Sequence, residues 1–168
     1  MRIESITLDH ERARNFVVER PMGAGVWVFL ALKARAVFTI GGREIPSPDN
    51  SFILLTPEQP FSYRCDADDF SEDSVFFTPD DEDIKRITDM KIPLNKVIPA
   101  AELTGITSLL RSMCLEYYSA NKNRLESVDL YFRLLLSKVN ESVLSMKKIS
   151  AVHEGLYIEK LMWLRESI

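Results

Sequence analysis

Apolar positions in the first hundred residues fall into short runs: Val26 to Leu32, Ala36 to Ile40, Phe52 to Leu55, Phe61 to Tyr63 and Val75 to Phe77. Gly, Pro, Asp and Asn separate them at spacings of roughly ten residues, which is how short antiparallel strands of a sandwich or barrel read in a sequence. The runs are too short and too rich in Val and Phe to predict helices. Ile3, Ile6 and Leu8, the polar stretch Asp9 to Arg14, and Phe16 to Val18 predict an entry strand, a turn and a second strand. Arg20-Pro21-Met22-Gly23-Ala24-Gly25 breaks the pattern, because proline lacks a ladder donor and glycine admits unusual dihedrals. Gly41-Gly42 predicts a hairpin from the Phe38 strand to Arg43-Glu44-Ile45. After Thr56 to Pro60, Phe61, Tyr63 and Cys65 alternate with Ser62 and Arg64.

The period changes between Pro93 and Pro99. Asp80 to Asp83 already opens a short helix over Asp81 to Met90, with its acidic residues at the favourable end of the dipole. Leu103, Ile106, Leu110, Met113 and Tyr117 then recur at helical spacing. Asn121-Lys122-Asn123 interrupts them. A second helix is predicted from about Arg124 to Lys148, with Leu125, Val128, Phe132, Leu135, Val139, Val143 and Met146 on one stripe. Ser150 and Gly155 predict a break before a third amphipathic piece, Leu156 to Ile168. The expected organisation is a β barrel over 1–98 whose interior is the working site, an antiparallel helical pair over 99–150 and a linker helix over 151–168. The stripe of the Arg124 helix is either core or a partner surface; because it is longer than the barrel can cover, Leu125, Val128, Phe132, Leu135 and Val139 are assigned to a contact between two copies.

Composition narrows the function. The 168 residues, 46% apolar and 27% charged, fit one compact domain, or one with an appendage, that needs no metal or disulfide to hold it. A formal charge of −4 argues against gripping nucleic acid unaided, since phosphate neutralisation supplies most non-specific affinity. No run reaches the eighteen or so apolar residues of a membrane span, and Met1-Arg2-Ile3-Glu4 does not open a signal peptide, so a cytoplasmic protein with Cys65 and Cys114 as reduced thiols is expected.

Candidate chemistry is sparse. From Asp66 to Asp83 the chain is acidic with no Lys or Arg; the spacing is not that of a calcium loop and reads as solvated loops around the strand Val75 to Phe77. His10 and His153 are too far apart in the pattern to share a barrel metal. No Gly-x-Ser-x-Gly elbow occurs, and Gly23-Ala24-Gly25 is not followed by a helix. No catalytic residue, metal or cofactor is assigned. Arg20 at a barrel mouth suits a carboxylate, phosphate or hydroxyl pair, or else a salt bridge to Glu19 or Glu44. Trp27, Phe38, Phe52, Tyr63 and Phe76 either line a pocket or fill the barrel.

Glu19 to Gly23, Val26 to Leu32, Gly42-Arg43-Glu44 leading to Phe52 to Pro57, Ser62-Tyr63, Asp73 to Phe77, and the helical Ile106 to Glu116 and Leu130 to Leu136 together resemble the amino-terminal cupin domain of AraC-type transcription regulators. The resemblance implies an all-β cupin or jelly-roll barrel that binds a small effector, helices that form a homodimer, and DNA contact only through a carboxy-terminal domain with two helix-turn-helix units beyond this chain. Arg165 to Ile168 would begin the linker toward it. In sugar-sensing members the Arg of Arg-Pro-x-Gly contacts ligand, which implies that role for Arg20; the aromatic after the proline turn maps to Tyr63. Two further contact positions, His and Trp in those members, fall on Glu72 and Ser74, so the stacking platform for a sugar ring is absent and the effector is a carbohydrate or another polar metabolite. Alternatives are a stand-alone isomerase-like cupin enzyme and a dimerisation module with a filled barrel.

Overall fold

The computed structural model describes residues 1–65 and 67–166; Asp66 of the acidic stretch and the last two residues of the predicted terminal helix lie outside the described residues. Strands β1 (Arg2–Glu11), β2 (Val17–Arg20), β3 (Trp27–Leu32), β4 (Ala36–Ile40), β5 (Arg43–Ser47), β6 (Ser51–Leu55), β7 (Phe61–Arg64) and β8 (Ser71–Thr78) precede a short helix, α1 (Asp81–Asp89). A two-residue strand β9 (Ile98–Pro99) and helices α2 (Thr104–Tyr117) and α3 (Arg124–Glu166) follow. The strands form two sheets, one in the order β1-β8-β3-β6-β9 and one in the order β2-β7-β4-β5. Every pairing among the described residues is antiparallel. The expected closed barrel is therefore corrected to an open two-sheet sandwich, with no ladder joining the sheets among the described residues.

Side-chain alternation explains the continuous apolar runs. Val28, Leu30 and Leu32 of β3 and Ile53 and Leu55 of β6 pack toward the smaller sheet with Phe38, Phe61 and Tyr63. Phe29, Ala31, Phe52 and Leu54 belong to a second cluster with Val75, Phe77 and the helices. The larger sheet is thus covered on both faces, which is why its strands read as unbroken hydrophobic stretches. The hairpin at Gly41-Gly42 pairs Ile40 with Arg43, and both glycines have positive φ, 61° and 74°. At α1, Asp83 N–H donates to Asp80 Oδ1 at 2.8 Å and Asp80 N–H to Asp83 Oδ2 at 3.1 Å, a reciprocal cap.

Two helical expectations are corrected. Val128, Phe132, Leu135 and Val139, assigned to a dimer contact, are buried in the chain's own core with Ile106, Leu110 and Met113 of α2. The Phe132 ring lies 5.0 Å from that of Phe77. The outer face of the sheet is as apolar as the inner one and takes the stripe for itself; Leu125 is 61% exposed. The predicted break also does not occur: α3 is one helix of 43 residues with Ser150 and Gly155 inside it, about 64 Å long at 1.5 Å per residue. One glycine weakens a helix by only about 1 kcal/mol relative to alanine, too little to end it. Beyond Val143, Ile149, Val152, Leu156 and Leu161 are exposed. No helix among the described residues is long and apolar enough to cross a membrane.

Candidate functional site

The inward positions of β8 alternate as Glu72, Ser74 and Phe76, while Val75 and Phe77 face the helices. Around the inward three stand Tyr63 and Phe61 from β7, Val28 and Leu30 from β3, and Val18 and Arg20 from β2, enclosing a cavity of about 30 Å³. That space admits a water or two. A larger guest must displace something, and the displaceable group is a side chain: Arg12, from the turn after β1, reaches into the same cavity.

Glu72 is 1% exposed. The Tyr63 hydroxyl lies 2.9 and 2.8 Å from its two carboxylate oxygens. Arg12 approaches one of those oxygens through Nε and Nη2, both at 2.8 Å. A buried carboxylate is tolerated only when paired and hydrogen-bonded, and here one guanidinium and one phenol do both. Burial, and after it the Glu72 carboxylate, push the Tyr63 hydroxyl above its ordinary value. Burial pulls Arg12 down, but its bonds to Glu72 outweigh this and leave it raised. The guanidinium carbon also stands 5.1 Å from the Phe16 ring centre, and Phe16 meets Tyr63 edge-on at 5.8 Å. Left-handed backbone at Asn15, φ 64°, and a bond from Phe16 N–H to the Ala13 carbonyl tighten the turn that carries Arg12 and Phe16.

Arg20 and Phe61 also line a groove of about 290 Å³ outside the cavity, with Pro21, Thr39, Gly41 and Gly42. The Arg20 side chain is exposed and makes no hydrogen bond or ion pair among the described residues. Glu44, its alternative partner, pairs instead with Arg64 at 3.1 Å. The turn after Arg20 requires glycine: Gly23 has φ 78°, and a Cβ there would stand 2.2 Å from the Pro57 carbonyl oxygen.

Arg20, Tyr63, Glu72, Ser74 and Phe76 thus converge on one cavity. Phe38 is buried behind it, stacked on Tyr63 at 4.9 Å. Trp27 is a correction: it lies on the outer face, 6.3 Å from Phe77, and packs against the helix-side cluster. Sequence reasoning missed Arg12, whose partner is 60 residues away; the polar turn after the first strand was visible, but not what it covers.

Much of the acidic stretch is paired. Asp73, on the opposite face of β8 from Glu72, accepts from Lys33 Nζ at 3.1 Å and from Asp9 N–H at 2.7 Å; Lys33 also bonds Asp9, which Arg111 of α2 approaches at 3.6 Å. Asp68 pairs with Arg14, and Asp80 and Asp83 cap α1. Among the described residues no three His, Cys, Asp or Glu side chains converge as a metal site would need. Cys65 and Cys114 are both free thiols.

Two antiparallel sheets followed by helices make this a β-rich fold with a C-terminal helical part. Among solved structures, ToxT from Vibrio cholerae is similar over 85% of this chain and 58% of its own length, at 14% identity and a TM-score of 0.53. The cupin domain of an XRE family transcriptional regulator from Enterobacter cloacae matches 42% of this chain and 77% of its own, at 18% identity and TM-score 0.36. A cupin superfamily protein from Desulfitobacterium hafniense matches 46% and 69%, at 17% identity and TM-score 0.39. No protein-family model and no curated protein sequence matches this chain.

Proposed function

We propose that this chain is the effector-sensing and dimerisation part of an AraC-type transcription regulator, acting in the cytoplasm. A small polar molecule enters between the sheets past Arg20 and is held by Tyr63, Glu72, Ser74 and Phe76. The observation that carries the reading is the convergence of those five side chains, from β2, β7 and β8, on one cavity; the likeness to ToxT over 85% of this chain supports it. Two copies pair through the outer side of α3, where Leu125, Leu130, Leu134 and Leu144 are exposed, and ligand binding shifts the balance between two arrangements of the pair. DNA is read by a separate domain, and the domain described here is not catalytic.

The small volume of the inner cavity favours a second reading, a dimerisation module with a filled sandwich. Thermal unfolding against a panel of polar metabolites separates the two. The sensing reading expects at least one compound to raise the midpoint with saturable dose dependence; a panel with no such compound, on a protein that sediments as a dimer, leaves the filled module.

A further inference from the structure

We infer that the cavity takes a small organic cation, whose guanidinium or amidinium head replaces that of Arg12 on Glu72. The inference rests on the sensing reading above and names the chemical class of its ligand.

Glu72 is a fixed anchor. It sits in the central part of the larger sheet, on a strand paired on both sides, opposite His10 of β1 and Leu32 of β3. The ladders on both sides hold its backbone, and so the direction of its side chain, toward the cavity. Tyr63 is equally fixed, paired with Val18 of β2 and Phe38 of β4. Arg12 differs: it follows the last residue of β1, its side chain is 26% exposed, and one backbone bond of 3.3 Å, from its N–H to the Phe70 carbonyl, ties it locally.

Charge then decides what can take its place. A neutral or anionic guest that moved Arg12 aside would strand a buried carboxylate with only a phenol for company, the arrangement proteins avoid most strongly. A planar cation replaces Arg12 in kind, hydrogen-bonding the carboxylate and lying over the Phe16 ring as the Arg12 guanidinium does, in a cavity also lined by Phe61 and Phe76. Arg20 at the mouth sets the other end, because a second cationic group would meet its unpaired guanidinium. The ligand therefore has one cationic head and a neutral or anionic tail.

Methylguanidinium and its neutral isostere methylurea test this by isothermal titration on the Arg12→Ala variant, with Arg12→Gln as a second variant that retains a hydrogen-bond donor toward Glu72. Methylguanidinium is expected to bind both variants at least tenfold more tightly than the wild-type protein, and at least tenfold more tightly than methylurea. The double variant Arg12→Ala with Glu72→Gln is expected to lose that preference. Equal binding of the two probes, a preference for methylurea, or no methylguanidinium binding by either folded variant overturns the cation site and leaves the sensing reading standing. Hydrogen exchange along α3 reads the other half: cation binding with no change there supports the site and removes its signalling role.

Discussion

Replacing Phe132 by alanine separates a core helix from an interface helix. Phe132 is 2% exposed, belongs to the cluster shared by the larger sheet, α2 and α3, and tilts against Phe77 at 5.0 Å. A buried aromatic side chain removes about 150 Å² or more from water, worth about 4 kcal/mol at 25 cal/mol per Å². Phe→Ala substitutions in cores fall near this figure, about 3–5 kcal/mol, once the residual cavity is included. Against a total stability of about 5–15 kcal/mol for a domain, that is a large fraction. With a urea slope of about 2 kcal/mol per M, the unfolding midpoint falls by about 2 M. Circular dichroism at 222 nm, followed through a urea titration at two protein concentrations tenfold apart, measures it. The expected loss is the same at both concentrations. A variant with an unchanged midpoint but weaker self-association would refute the assignment of Phe132 to the core and restore it to a dimer contact.

Other consequences follow from the same geometry. Tyr63→Phe removes a hydrogen bond to a buried carboxylate and is expected to lose about 2 kcal/mol at pH 7. Because the folded hydroxyl is held above its ordinary value, while the unfolded chain ionises near pH 10, the contribution of Tyr63 is fully present below about pH 10 and falls above it; the gap to the variant is expected to narrow between pH 10 and 11, and a constant gap would count against the buried phenol. Lys33 is pulled down by burial, but its bonds to Asp9 and Asp73 outweigh this and raise it above 10.5. Its contribution is therefore present below pH 10.5 and lost as pH rises through the folded value. Lys33→Met, which leaves Asp73 with the Asp9 N–H but no cation, is expected to lose about 1 kcal/mol or more at neutral pH and less above that range. Gly23→Ala, which drives a Cβ into the Pro57 carbonyl, is expected to lose about 1–3 kcal/mol in the same urea assay and to weaken ligand binding by displacing Arg20.

Much of the sandwich was legible because its signals are local. Gly41-Gly42 announces a hairpin through φ alone, and the runs in β3, β6 and β7 announce strands through composition. Faces were harder to read. When both sides of a strand are apolar, alternation no longer tells inner from outer, and Trp27 was placed in the pocket when it belongs to the helix side. The same ambiguity misdirected Val128, Phe132, Leu135 and Val139: an amphipathic stripe states that something covers it, not what. Gly155 could not end α3 because a single unfavourable residue is outweighed by the turns on either side of it. Arg12 was invisible for a different reason. Its role depends on a register across β1 and β8 and on a turn built at Asn15, neither of which a linear pattern specifies, whereas Glu72 came from the family resemblance, which places a ligand contact at that position.

Binding of a small molecule between the sheets through Arg20 is tested by titrating a ligand that stabilises the wild-type protein into Arg20→Ala. At least a tenfold loss of affinity is expected, with the unfolding midpoint of the free protein unchanged. Equal affinity for both proteins would contradict it.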